Sequence, residues 1–150
     1  MIKILVLNGP NLNWLGHREP DIYGHQTMDD CLERLRKRFA PQVEVLYGQS
    51  NHEGGLIDLL QQAEMEGVSG VAFNAGAYTH TSIALADCIR SLSIPVVELH
   101  ISNVHQREDY RRQSMIAPAC KGVVCGFGLL SYDLAVEALV ELAVGGSLGA

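Results

Sequence analysis

Glu98 and His100 interrupt an otherwise apolar run, Val96-Val97-Glu98-Leu99-His100-Ile101, and ionisable groups in such a setting are rarely buried without partners. Taken alone, the two residues would be a structural hydrogen-bonded pair. The residues that follow change that reading. Ser102, Asn103 and His105, then Arg107, Arg111 and Arg112, set hydroxyl, amide and guanidinium donors directly after a group able to transfer protons. This set suits acid–base chemistry on a small, oxygen-rich anion.

Two further stretches are rich in polar groups. Asn8-Gly9-Pro10-Asn11 opens a long loop that carries Arg18 and Tyr23, and Asn74 opens a second loop that reaches His80. Other chemistries fit these stretches less well. No G-x-G-x-x-G follows the first apolar run and no Walker lysine is present, which argues against a nucleotide. Asn8 and Asn74 stand where a response regulator needs carboxylates, and Ser102 lacks the G-x-S-x-G elbow of a hydrolase nucleophile.

The elements that must position these groups alternate along the chain. Ile2 to Leu7 reads as a buried strand stopped by a turn. Thr27 can cap a helix with Asp29 and Asp30 in its first turn, a stripe of Met28, Leu32, Leu35 and Phe39, and a basic, solvated end at Arg36, Lys37 and Arg38. Val43 to Tyr47 reads as an edge strand, and Ser50 with Glu53 has the spacing of a capping box for a helix that ends at Gly67. Gly70 to Phe73 is a third strand, and Ile83, Leu85, Ala86, Ile89 and Leu92 carry the next helix to the Pro95 strand. Gly122 to Cys125 supplies a fifth strand, and Ser131 caps a last helix that presents Leu134, Ala135, Ala138, Leu139 and Leu142. Residues 145–150 read as a flexible tail.

Five strands alternating with helices through right-handed crossovers imply a three-layer α/β/α sandwich around a flavodoxin-like parallel sheet of order 2-1-3-4-5. In that order a ligand belongs outside the carboxyl ends of the strands where the winding reverses. The three polar stretches, residues 8–23, 74–80 and 100–112, then converge on one crevice.

Composition narrows the class. The 150 residues, 47% apolar and 19% charged, suit one domain spanning 1–150, and a net charge of −6 speaks against nucleic acid as the main partner. Cys31, Cys88, Cys120 and Cys125 form no C-x-x-C, so reduced thiols are expected rather than a metal site or a disulfide framework. The N-terminal apolar run is too short for a membrane span and lacks signal-peptide flanks, which points to the cytoplasm.

Four segments, Asn8 to Pro20 with Tyr23-Gly24, Gln49 to Gly54, Asn74 to Ser82 and Glu98 to Glu108, closely resemble the type II 3-dehydroquinate dehydratase family. The resemblance spans nearly the whole chain. It implies reversible dehydration of 3-dehydroquinate to 3-dehydroshikimate by anti elimination through an enolate, without a Schiff base, metal or organic cofactor, in the shikimate pathway or in quinate breakdown. It assigns the base to Tyr23, the acid to His100, activation of the tyrosine to Arg18, the enolate amide to Asn74 and the carboxylate that orients the histidine to Glu98. It carries substrate contacts over to Asn11, Asn74, His80, Ile101, Ser102 and Arg111, gives Asp87 to a neighbouring subunit's site, and implies a homododecamer built as a tetramer of trimers. Trp14 and His17 fall on variable loop positions, and Ser131 replaces an expected glycine before Tyr132. The competing function is a non-catalytic flavodoxin-like module that binds a carboxylated metabolite.

Overall fold

A computed structural model describes residues 1–17, 21 and 26–145. Five strands, β1 (Ile2–Asn8), β2 (Val43–Gln49), β3 (Gly70–Asn74), β4 (Val96–His100) and β5 (Gly122–Cys125), alternate with helices α1 (Met28–Phe39), α2 (Glu53–Met65), α3 (Ile83–Ser91) and α4 (Leu130–Ala143). All neighbouring strands pair in parallel, in the order β2-β1-β3-β4-β5, so the expected topology is the observed one.

Side chains alternate across a strand, and here both faces are buried, which makes three layers. Ile4, Val6, Val97 and Leu99 pack with α1 and α4, while Leu5, Leu7, Val71, Phe73 and Val96 pack with α2 and α3. The same parity sends Asn8 and Asn74 toward α4, and Glu98 and His100 toward the opposite face. The two halves of the polar machinery thus leave opposite sides of the sheet and meet at its carboxyl rim.

Helix α1 forms as its residues imply. Thr27 accepts from the Asp30 amide and Asp30 from the Thr27 amide, both at 3.2 Å, and the stripe Met28, Leu32, Leu35 and Phe39 is buried. Three local expectations fail. Ser50 does not cap α2, because the cap position falls on His52; the Ser50 hydroxyl accepts from the His52 amide instead, and Glu53 accepts from the Ser82 hydroxyl at 2.5 Å. Ser131 lies inside α4 and accepts from the Phe127 amide. On α3 the expected Leu85, Ala86 and Ile89 are buried, joined by Cys88, and only Ile83 is exposed, whereas the inward face of α4 is rotated from the expected one: Leu134 is exposed, and Tyr132, Asp133 and Val136 are buried beside Ala135 and Leu139.

The basic end of α1 is not simply solvated either. Arg36 donates to the Val45 carbonyl, and Arg38 joins Arg34 in clamping the fully buried Asp133 of α4, with Arg34 Nη2 at 2.5 Å from Oδ1 and Arg38 Nη1 at 3.0 Å from Oδ2. Removing a cation from a buried carboxylate leaves its desolvation uncompensated. Arg34→Met is therefore expected to cost about 3 kcal/mol of folding stability, read from urea unfolding, with a loss below about 1 kcal/mol showing that Arg38 and water suffice.

Candidate active site

The crevice opens at the carboxyl ends of β1, β3 and β4, where the winding reverses. One wall is Pro10, Asn11 and Leu12, the floor holds Asn74, Gly76 and Ala77, and the far wall carries His80, His100, Ile101, Ser102, Arg107 and Arg111. Asn11, Asn74, His80, His100, Ile101, Ser102 and Arg111, all expected at the site, are thus brought together.

Backbone contact builds the first wall. Gly9 donates to the Asn74 carbonyl at 2.7 Å, and a Cβ on Gly9 would lie 2.5 Å from the Ala75 oxygen, so only glycine lets the loops after β1 and β3 touch. Asn11 then turns the chain through φ 72°, a left-handed conformation that asparagine tolerates, while its amide donates to Asn51 Oδ1 at 3.0 Å. Gln49 donates to both the Gly9 carbonyl and Asn51 Oδ1. Gln49 and Asn51 are therefore scaffold for this wall.

On β4, His100 Nε2 lies 2.6 Å from Glu98 Oε2, and both side chains are buried. The carboxylate's other oxygen accepts from Ser114 Oγ at 2.7 Å, and Ser114 Oγ accepts the Ala117 amide proton at 2.9 Å. Because the amide can only donate, the Ser114 proton must point at Glu98. Glu98 is thereby held by two donors, His100 is held at Nε2, and Nδ1 is the ring nitrogen left for exchange with a ligand. Ser114 was not singled out from the sequence; it lies 16 residues from Glu98, and a lone serine there carries no spacing signal.

His80 stacks on His100 with centroids 6.2 Å apart, and its Nδ1 lies 2.7 Å from the Gln113 carbonyl. A carbonyl only accepts, so Nδ1 carries the proton and Nε2 bears the lone pair. Burial, then the nearby His100 and Arg111 charges, lower the His80 pKa below its ordinary value. His80 is accordingly neutral near pH 7 and offers an acceptor. Arg111 lines the crevice with Nε at 2.7 Å from Glu108, and Arg107 Nη1 lies 3.5 Å from Ser102 Oγ. Burial and the Glu98 charge push the Cys120 thiol up to about 12, which removes it as a nucleophile.

Asn74 is 4% exposed, gives one amide proton to Tyr132 Oη at 3.2 Å and accepts the Gly76 amide at Oδ1. Asp87 is not at the crevice: it sits exposed on α3, 3.7 Å from Arg90. Arg18 and Tyr23 lie outside the described residues. Trp14 is exposed and meets His17 edge to face at 6.2 Å. The four cysteines are unpaired, and among the described residues no helix is long and apolar enough to cross a membrane.

Fold and site together define a flavodoxin-like α/β protein whose acid–base crevice lies at the topological switch point. Comparison with known proteins narrows this class. The family model described as dehydroquinase class II matches residues 2–140. A 3-dehydroquinate dehydratase of Rhizobium etli (strain CIAT 652) is 62% identical over 141 residues, which cover 93% of this chain and 96% of the relative. The solved type II dehydroquinase from Butyrivibrio crossotus DSM 2876 superposes with a TM-score of 0.90 at 44% identity, covering 93% of this chain and 97% of that one. The corresponding structure from Propionibacterium acnes gives 0.85 at 38% identity, covering 96% and 97%. The chain belongs to the class II dehydroquinase family.

Proposed function

We propose that this chain catalyses the reversible dehydration of 3-dehydroquinate to 3-dehydroshikimate, with Tyr23 as base and His100 as acid. The observation that carries the reading is the buried Glu98–His100 pair, backed by half-buried Ser114, at the rim of a crevice lined by Arg107 and Arg111. A carbon acid beside a ketone needs a strong base and a place for the enolate charge. In this reading the Tyr23 phenolate, activated by Arg18, removes the proton, and the second amide proton of Asn74 supports the enolate directly or through a water. His100 then delivers a proton from Nδ1 to the departing hydroxyl, so the leaving group departs as water. His80, Ser102 and the amide of Ile101 hold the ring's oxygens, Asn11 closes the opposite wall, and Arg111 complements the substrate carboxylate.

The chain works as one catalytic domain, in the cytoplasm, as a homododecamer of four trimers. An exposed Asp87, outside its own crevice, suits a side chain that completes the site of a neighbouring subunit. The enzyme serves aromatic amino acid biosynthesis or quinate breakdown, since the reaction is the same in both.

No imine is involved. Lys3 and Lys121 sit at the entrances to β1 and β5, at the far end of the sheet from the crevice, and Lys37 pairs with Glu33 on α1 at 3.2 Å. Incubation with 3-dehydroquinate should raise the ultraviolet absorbance of the conjugated enone product. The rise should persist after treatment with borohydride in the presence of substrate. A flat trace with tight ligand binding would favour the non-catalytic binding module, and a reduced lysine adduct on inactivated protein would replace the mechanism with Schiff-base dehydration.

A further inference from the structure

The carboxyl rim of the sheet holds a polar chain of which the reaction scheme uses only Asn74. Asn8 and Asn74 are register partners on β1 and β3, both buried, and both face α4. Tyr132, on α4 and fully buried, reaches between them: its hydroxyl donates to Asn8 Oδ1 at 2.7 Å and accepts from Asn74 Nδ2 at 3.2 Å. Asn8 Nδ2 in turn donates to Tyr47 Oη of β2 at 3.3 Å. Three adjacent strand ends are thus joined through one helix side chain.

We propose that Tyr132 is a positioning residue that fixes the amide of Asn74, so that an N–H and not the carbonyl oxygen faces the crevice. The protons follow from what each group can do. A tyrosine hydroxyl carries one proton, and here it goes to Asn8, so toward Asn74 the oxygen can only accept. Asn74 must therefore turn its NH2 to Tyr132 and its Oδ1 to Gly76, whose amide only donates, at 3.2 Å. Both ends demand the same orientation. Of the two amide protons, one is used by Tyr132, and the other has no protein partner among the described residues, while Asn74 lines the crevice. Burial pushes the Tyr132 phenol far above its ordinary range, so the hydroxyl keeps its proton across the working pH range. The next residue, Asp133, is clamped by Arg34 and Arg38, which prevents this turn of α4 from sliding along the sheet.

The inference rests on the role given to Asn74 above, and the test separates the two. Steady-state turnover of 3-dehydroquinate is measured for Tyr132→Phe, Asn74→Ala and the double variant, with thermal unfolding as a check on folding. Tyr132→Phe keeps the ring and loses only the hydroxyl. We expect kcat to fall on the order of tenfold with KM nearly unchanged, since a misdirected donor is lost mainly in the transition state. In the Asn74→Ala background the same substitution should change kcat by less than about twofold, because nothing remains to position. A folded Tyr132→Phe enzyme with native kcat, beside an impaired Asn74→Ala enzyme, overturns the positioning role alone, as does an equal loss in both backgrounds. A native kcat for Asn74→Ala removes the enolate role of that residue and this inference with it. If Tyr132→Phe does not fold, Asn8→Ala makes the same comparison from the other side, because without its acceptor the Tyr132 proton can turn toward Asn74.

Discussion

Replacement of His100 by alanine is expected to lower kcat by about two to four orders of magnitude while ligand affinity changes little, the range for losing a positioned general acid. The geometry gives the reason. His100 is not held by packing alone: Glu98 takes Nε2 at 2.6 Å, and Glu98 is itself fixed by Ser114. A buried carboxylate that fixes the ring's orientation and leaves Nδ1 toward the crevice is what a proton donor to a poor leaving group needs. The measurement pairs steady-state turnover with the dissociation constant of a substrate analogue bound to the variant. Turnover within about fivefold of wild type would move the acid elsewhere, and His80, stacked 6.2 Å away, is the first alternative. Added imidazole should restore part of the lost rate if the vacated space admits it, which a purely structural histidine would not show.

Tyr23→Phe is expected to lose at least roughly a hundredfold in turnover with little change in ligand affinity, because phenylalanine keeps the ring and removes only the group that accepts the proton. A phenol with a pKa near 10 is ionised to about one part in a thousand at neutrality. A guanidinium about 5 Å from a phenolate, at an effective dielectric of about 20, contributes on the order of 3 kcal/mol, equivalent to about two pKa units. Desolvation opposes this shift, so the net change is smaller unless a further cation or donor takes part. Arg18→Ala should therefore move the basic limb of the turnover–pH profile upward, as the phenol returns toward its ordinary value. Near-native turnover in Tyr23→Phe would assign the base to another residue.

Family resemblance and element order were open to reading from the chain, and the reason lies in range. The run from Val96 to Ile101, the breaker turn at Asn8 to Asn11 and the stripe of α1 are local patterns, fixed by which side chains can sit on a buried strand or an amphipathic helix. With strands and helices alternating, handedness and compactness leave few topologies, so the crevice could be placed before any distance was known. Asn11, Asn74, His80, His100, Ser102 and Arg111 do line that crevice. Where local rules compete the reading failed. Ser50 and Glu53 have cap spacing, yet each found a different partner, Glu53 reaching Ser82 across 29 residues.

By itself the sequence determined the layered parallel sheet, the position of the crevice and the family, because each rests on periodicity and on motifs contiguous along the chain. Tertiary structure alone decided which polar groups could be buried. Tyr132 meets Asn8 across 124 residues, and Arg34 meets Asp133 across 99. An apolarity pattern places Tyr132 and Asp133 outside, and Leu134 inside, since burying a hydroxyl or a carboxylate is unfavourable until its partners are known. The fold supplies those partners, and with them the inward face of α4 turns from Leu134 to Tyr132, Asp133 and Val136. Ser114 follows the same logic at the other half of the site, since only the packing of the segment after β4 reveals that its one proton is spent on Glu98.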